Sequence, residues 1–159
     1  MGSRSKTDLA YIAGFLDGDG SLMLQIKKRS DTKRAVRFMV TICLYQDTRH
    51  EKSLYWMRDA LGIGYISRRN DGISELRING YKRVGDILLV LEPYIRFKKV
   101  QTKALLKACT VLQKGSMKNL SKLQLGQLVN LILVVQNENY KASRKKNKSE
   151  LYSLLGLTP

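Results

Sequence analysis

The chain is poor in the residues that build disulfide scaffolds and most protein metal centres. Its two cysteines, Cys43 and Cys109, are too few for a disulfide framework and have no zinc-like spacing. They read as two reduced thiols in an intracellular compartment. A single histidine, His50, excludes a His-rich metal site. The longest greasy stretch, Leu123 to Val135, is broken by Gln124, Gln127 and Asn130, so it is too short and too polar to span a bilayer. Met1-Gly2-Ser3-Arg4-Ser5 has no apolar signal core, which predicts no signal peptide and no export. Acidic residues are scarce as well: 13 Asp and Glu face 29 Lys and Arg, a net charge of +16. That excess is too large to be a solubility device and implies a polyanionic partner, nucleic acid in preference to an anionic membrane.

What is present suits one globular domain, 1–159, with a sizeable core. Asp8 is a plausible N-cap for a helix whose apolar surface is Leu9, Ile12, Ala13, Phe15 and Leu16 and which ends near Asp17. From Ser21 the period changes to two, with Leu22, Leu24 and Ile26 alternating with Met23, Gln25, Lys27 and Arg29. After a polar turn, Phe38, Val40, Ile42 and Leu44 alternate with Arg37, Met39, Thr41, Cys43 and Tyr45. A helix over Leu54–Leu61 stops at Gly62. Strands Tyr65–Arg69 and Ile73–Ile78 then flank Asn70-Asp71-Gly72, a strong hairpin signal. Val84–Leu91 is helical up to Pro93, and helical patterns recur at 99–113, 121–137 and 149–155. The order αββαββα, followed by further helices, predicts an α+β fold: an antiparallel four-stranded sheet with helices on one face. The core spans about 8–137, leaving a basic loop and a short C-terminal helix in 138–159.

Each hairpin sends its apolar alternation toward the helices. The other face receives Gln25, Lys27, Arg29, Arg37, Thr41, Ser67, Arg69, Glu75, Arg77 and Asn79. Polar strand positions usually just meet solvent. These residue types, however, are the ones that read base edges: Arg and Lys at guanine, Gln and Asn at adenine, Glu at cytosine. A two-stranded ribbon fits the major groove, and few aromatics lie on this face, so a single-strand stacking platform fits less well.

The most informative stretch is Leu9-Ala10-Tyr11-Ile12-Ala13-Gly14-Phe15-Leu16-Asp17-Gly18-Asp19-Gly20-Ser21. It runs an apolar helix into two carboxylates at the negative end of the helix dipole, a placement that a bound cation would compensate. An EF-hand does not fit. Counted from Asp17, the sixth and twelfth places hold Leu22 and Lys28; counted from Phe15 so that Gly20 is sixth, the first ligand is Phe and the twelfth residue Ile26. A carboxylate with a backbone carbonyl suits Mg²⁺, which keeps its waters and takes phosphate oxygens. One such acid per chain is a thin site. Two chains meeting at these helices, with Ala13 and Gly14 allowing close approach, would pair two carboxylates around metal for phosphodiester hydrolysis.

On these residues the chain resembles the LAGLIDADG homing endonucleases. The likeness continues through Ser21, Gln25-Ile26-Lys27, Gln46, Leu61-Gly62-Ile63-Gly64-Tyr65 and Pro93-Tyr94-Ile95-Arg96-Phe97-Lys98-Lys99-Val100-Gln101. It is clear over about 8–110 and looser beyond. One motif copy points to the homodimeric members encoded in organellar introns, which recognise long near-palindromic DNA. The resemblance implies that the motif helices form the dimer interface, with Ala13, Gly14 and Asp17 at or near it and Asp17 in a structural role. It implies that Asp19 and the carbonyl of Gly18 bind Mg²⁺, with Mn²⁺ as a substitute. Gln46 matches the glutamine that orders metal-bound water, and Lys98 the lysine near the scissile phosphate. Where the family carries a further Arg or Lys, this chain has His50 next to Arg49, and either can fill the role.

The expectation is therefore a metal-dependent, site-specific double-strand DNA endonuclease, located in a chloroplast or mitochondrion. A strand such as 21–29 spans about 30 Å, or roughly nine base pairs per half-site and 18–20 per dimer. Lys141, Arg144, Lys145 and Lys146 would contact phosphates. Two alternatives stay open at this point. One is an RNA-binding intron maturase on the same scaffold, and the other is a basic nucleic-acid-binding module without catalysis.

Overall fold

The computed structural model describes residues 4–31, 35–139 and 144–158, so Lys141 lies outside the described residues. The elements run α1 (Lys6–Asp19), β1 (Gly20–Lys28), β2 (Val36–Asp47), a 3₁₀ turn (Thr48–His50), α2 (Lys52–Leu61), β3 (Tyr65–Arg68) and β4 (Ile73–Asn79). They continue with α3 (Tyr81–Leu91), a second 3₁₀ turn (Glu92–Tyr94), α4 (Lys99–Gln113), a third (Met117–Asn119), α5 (Lys122–Glu138) and α6 (Lys148–Leu154). The four strands form one antiparallel sheet in the order β1-β2-β4-β3, as the alternating pattern predicts.

Register explains the core. Leu22 pairs with Ile42 and Ile42 with Ile78, Leu24 pairs with Val40, and Leu44 pairs with Leu76. These side chains share one face and are buried beneath the helices, together with Ile12, Leu16, Leu54, Met57, Leu88, Leu105, Leu128 and Ile132. Each fully buried Leu or Ile contributes roughly 1.5–3 kcal/mol of hydrophobic stabilisation.

Local chemistry sets the boundaries. The cap of α1 is Ser5 rather than Asp8: Ser5 Oγ accepts from the Asp8 N–H at 3.4 Å, and Asp8 sits in the first turn, where the dipole favours an acid. The helix also runs two residues further than its apolar pattern, to Asp19. Gly62 ends α2 in the left-handed conformation at φ 71°, and Gly72 turns the β3–β4 hairpin at φ 79°. Ser121 and Gln124 form a reciprocal capping box on α5. Among the described residues no helix is long and apolar enough to cross a membrane.

Candidate active site and nucleic-acid interface

The site begins where α1 stops. Leu9, Ile12, Ala13 and Leu16 point into the core, while Tyr11, Gly14 and Gly18 form the exposed stripe. Asp17 and Asp19 are two residues apart, about 200° round a helix, so they face opposite ways. The next residue, Gly20, already belongs to β1, with no loop between. A Cβ there would lie 2.5 Å from Leu16 Cδ1 and 2.8 Å from Leu16 Cα and O, so only glycine permits this turn.

Asp17 turns inward and is 9% exposed. Its carboxylate accepts three backbone N–H groups from the loop before α4: Arg96 at 2.6 Å, Phe97 at 3.2 Å and Lys98 at 3.0 Å. Its own carbonyl accepts Lys98 Nζ at 2.6 Å. One residue thus ties the start of α4 to the end of α1 and carries Lys98 across 81 positions of sequence to the motif. Asp19 faces solvent, and the Gly18 carbonyl lies in the last helical turn, where carbonyls have no intrahelical partner. Carboxylate, carbonyl and helix dipole therefore converge as oxygen donors and negative charge at one exposed point, a donor set that fits a hard divalent cation. It does not complete a site alone: among the described residues no group of three or more His, Cys, Asp or Glu could hold a metal.

Gln46 sits two residues beyond Leu44, which pairs with Gly20, so it extends past the start of β1 on the helix-covered side of the sheet. It is half-buried, and its Oε1 accepts the Asp47 N–H at 2.8 Å. Arg49 and His50 are exposed on the 3₁₀ turn that follows. The Arg49 guanidinium grips Asp47 through Nε at 3.0 Å and Nη2 at 2.9 Å, and the Arg49 N–H adds a third bond to the same carboxylate at 2.8 Å. These bonds hold the Asp47 carboxyl down at about 2. His50, next along the turn, adds to the hold that Arg49 has on the Asp47 carboxyl.

The outer sheet face carries the expected residues but at different depths. Gln25, Lys27, Arg29, Arg37, Ser67, Arg69, Arg77 and Asn79 have exposed or half-exposed surface, with Arg29 paired to Asp31. Thr41 and Glu75 do not present their polar groups as base readers. Thr41 is 1% exposed and donates its hydroxyl to Asn79 Oδ1 at 2.8 Å. Glu75 is 4% exposed and is occupied by Arg77 Nε at 2.6 Å and Arg69 Nη1 at 3.3 Å. Both sit on the two central strands, where neighbours on either side cover them. Ala13 needs correction too: it is fully buried in the core of a single chain, so of the two small residues only Gly14 lies on the open face. Asp17 likewise spends its carboxylate on the 96–98 loop rather than on a partner helix. Arg144, Lys145 and Lys146 are exposed, and their segment is held by Gln136, whose side chain bonds both the N–H and the carbonyl of Lys146 at 3.0 Å.

Composition and pattern did not point to Phe97, which is 84% exposed in the loop that Asp17 holds, or to the edge-on pair of Tyr11 and Trp56. Exposed aromatics are invisible to periodicity because their exposure is decided by the fold.

Residues 12–109 match the LAGLIDADG endonuclease family. The chain belongs to this family. It is 34% identical over 97 residues to the DNA endonuclease I-CvuI of Chlorella vulgaris, covering 61% of this chain and 60% of that protein. It is 32% identical over 103 residues to the DNA endonuclease I-CreI of Chlamydomonas reinhardtii, covering 65% of this chain and 63% of that protein. These sequence matches therefore span a little under two thirds of either relative. The likeness in structure runs further. A crystal structure of the homing endonuclease I-CvuI in complex with its target in the presence of calcium superposes with a TM-score of 0.84 and 26% identity, covering 97% of this chain and 98% of the other. The archaeal intron-encoded homing endonuclease I-Vdi141I complexed with DNA superposes at a TM-score of 0.79 and 22% identity, covering 94% and 95% of the two chains, a likeness of fold.

Proposed function

We propose that this protein is a site-specific double-strand DNA endonuclease that acts as a homodimer on a long near-palindromic site with a divalent metal. The observation that carries the reading is the end of α1. There an exposed carboxylate, Asp19, shares the helix terminus with Lys98, whose position is fixed by the Asp17 clamp. Among the described residues the Asp19 carboxylate serves no ion pair, whereas beside phosphates a metal-binding acid and a lysine form a hydrolytic pair.

Asp19 and the Gly18 carbonyl would hold Mg²⁺, with Mn²⁺ accepted in its place, and phosphate and water would supply the remaining oxygens. The metal supplies activation of water and neutralisation of charge on the phosphate. Gln46 orients that water. Lys98 stabilises the developing negative charge, and His50 serves as the second basic group, because the Arg49 guanidinium is engaged by Asp47. Two copies joined across the exposed face of α1, where Gly14 and Gly18 have open space and Tyr11 and Phe97 offer apolar surface, would bring two Asp19 side chains together. Gln25, Lys27, Arg37, Ser67, Arg69 and Arg77 would face the major groove, and Arg144, Lys145 and Lys146 the backbone. Resemblance to members encoded in organellar introns supports a chloroplast or mitochondrial setting.

Selection of cleaved sites from a randomised double-stranded DNA library with Mg²⁺ tests the reading. It predicts a two-fold-related consensus of about 18–20 base pairs and no cleavage in EDTA. Recovery of no cleaved site, with binding to RNA alone, would overturn it.

A further inference from the structure

The turn that carries Arg49 and His50 is tied down on both flanks to the same neighbour, the β3–β4 hairpin. On one flank, the Thr48 N–H donates to the Gly72 carbonyl at 2.8 Å. On the other, the Glu51 side chain is nearly buried and accepts Arg68 through both oxygens, with Nε–Oε2 at 3.0 Å and Nη2 on Oε1. Ser74 Oγ donates to Glu51 Oε2 at 2.6 Å, which leaves Thr48 Oγ1 to donate to Ser74 Oγ at 3.0 Å. One carboxylate, one guanidinium and two hydroxyls thus close a ring of contacts around a turn only three residues long. A planar Arg–carboxylate fork fixes orientation as well as distance. Arg68 is followed directly by Arg69, which lies on the outer sheet face at the tip of the same hairpin.

We propose that Glu51 is a positioning residue that couples the β3–β4 hairpin, through Arg68 and Ser74, to the turn bearing Arg49 and His50, so that the seat of the hairpin on DNA sets the His50 side chain at the scissile phosphate. The proposal rests on the endonuclease reading above. Glu51 is 9% exposed and its carboxylate is taken up by Arg68 and Ser74, so its effect belongs on the rate of the bound complex rather than on binding.

The test uses Glu51→Gln, which keeps the shape and loses the charge, and Ser74→Ala, which removes the hydroxyl bridge. Single-turnover cleavage at saturating duplex should fall about 10–100-fold in each, as it does when a supporting hydrogen-bond partner is removed, with DNA Kd within about twofold of the parent. The double variant should be little worse than either single one, because both break the same ring. Hydrogen exchange on the free protein should show faster exchange at the Thr48 and Arg49 amides, with the 96–98 amides unchanged. Parental cleavage rates in both variants, or a loss of affinity with no loss of saturated rate, would overturn the proposal. If the parent cleaves no selected duplex, the endonuclease reading fails. The exchange result still decides separately whether the hairpin and the turn are coupled.

Discussion

Replacing Asp17 by alanine should loosen the start of α4 from the end of α1, leaving only the Lys98 Nζ bond to the Asp17 carbonyl, without touching the metal-binding acid. The carboxylate accepts three backbone N–H groups, at 2.6, 3.2 and 3.0 Å, from three consecutive residues. Hydrogen bonds to a charged group contribute about 1.5–3 kcal/mol each, and three bonds to one carboxylate are not additive. Arg96 and Phe97 are exposed, so water recovers part of the loss. A net destabilisation of about 3 kcal/mol follows, a large share of the ~5–15 kcal/mol that holds a domain together. At roughly 2–4 °C per kcal/mol for a chain of this size, the midpoint of thermal unfolding should drop by about 6–12 °C. Asp17→Asn should fall between alanine and the parent. One amide oxygen can keep the Oδ2 pair of bonds, while the NH₂ then confronts the Lys98 N–H, donor against donor. Thermal unfolding followed by circular dichroism, with urea titration as a check, measures the effect. Asp19→Asn in the same assay should melt with or slightly above the parent, because Asp19 is exposed at the helix end and its charge is disfavoured by the dipole. A midpoint for Asp17→Ala within about 1 °C of the parent would refute the clamp.

Gly20→Ala should destabilise the fold more than Gly18→Ala, since a Cβ at Gly20 meets Leu16 at 2.5–2.8 Å while one at Gly18 meets nothing; paired urea titrations compare them. Gly14→Leu should leave the subunit folded, because that position is open in the single chain, yet should shift sedimentation toward monomer if α1 pairs with α1. Lys145→Ala with Lys146→Ala should weaken all duplexes alike and reduce the slope of log K against log salt by about 0.9 per lost phosphate contact. The Glu51 carboxyl is held from 4.5 down to about 2, chiefly by Arg68 and then by Ser74. A lowered folded-state value means that the unfolded chain binds the proton first, so the contribution is complete above pH 4.5 and is lost as pH falls toward 2; the stability gap between the parent and Glu51→Gln should close across that window.

The order of elements was legible because apolar periodicity and glycine punctuation act locally. Leu22, Leu24 and Ile26 fix a buried face by parity alone, and Gly62 and Gly72 stop or turn the chain where a left-handed residue is needed. The end of α1 was not legible to the residue, because acids at a helix C-terminus violate the dipole rule. The violation at Asp17 is compensated by N–H groups some 80 positions away. Ala13 is a different lesson. Its smallness suggested close helix approach, but its spacing from Leu9 and Leu16 already placed it among the core positions of the helix. Strand parity put Thr41 and Glu75 on the correct face and could say nothing of depth, which depends on their lying in the two central strands under neighbouring side chains. The ring around Glu51 joins residues 17 and 23 positions apart and leaves no periodic trace at all.

The central claim is that Asp19 performs metal-dependent chemistry while the rest of the surface holds DNA. Cleavage and binding of one selected duplex by the parent and by Asp19→Asn, in the same Mg²⁺ buffer, test it most directly. The account predicts equal affinity within about twofold and a fall in single-turnover cleavage of at least about 100-fold, the scale expected when one preorganised electrostatic group is lost. Cleavage by Asp19→Asn at the parental rate would contradict it.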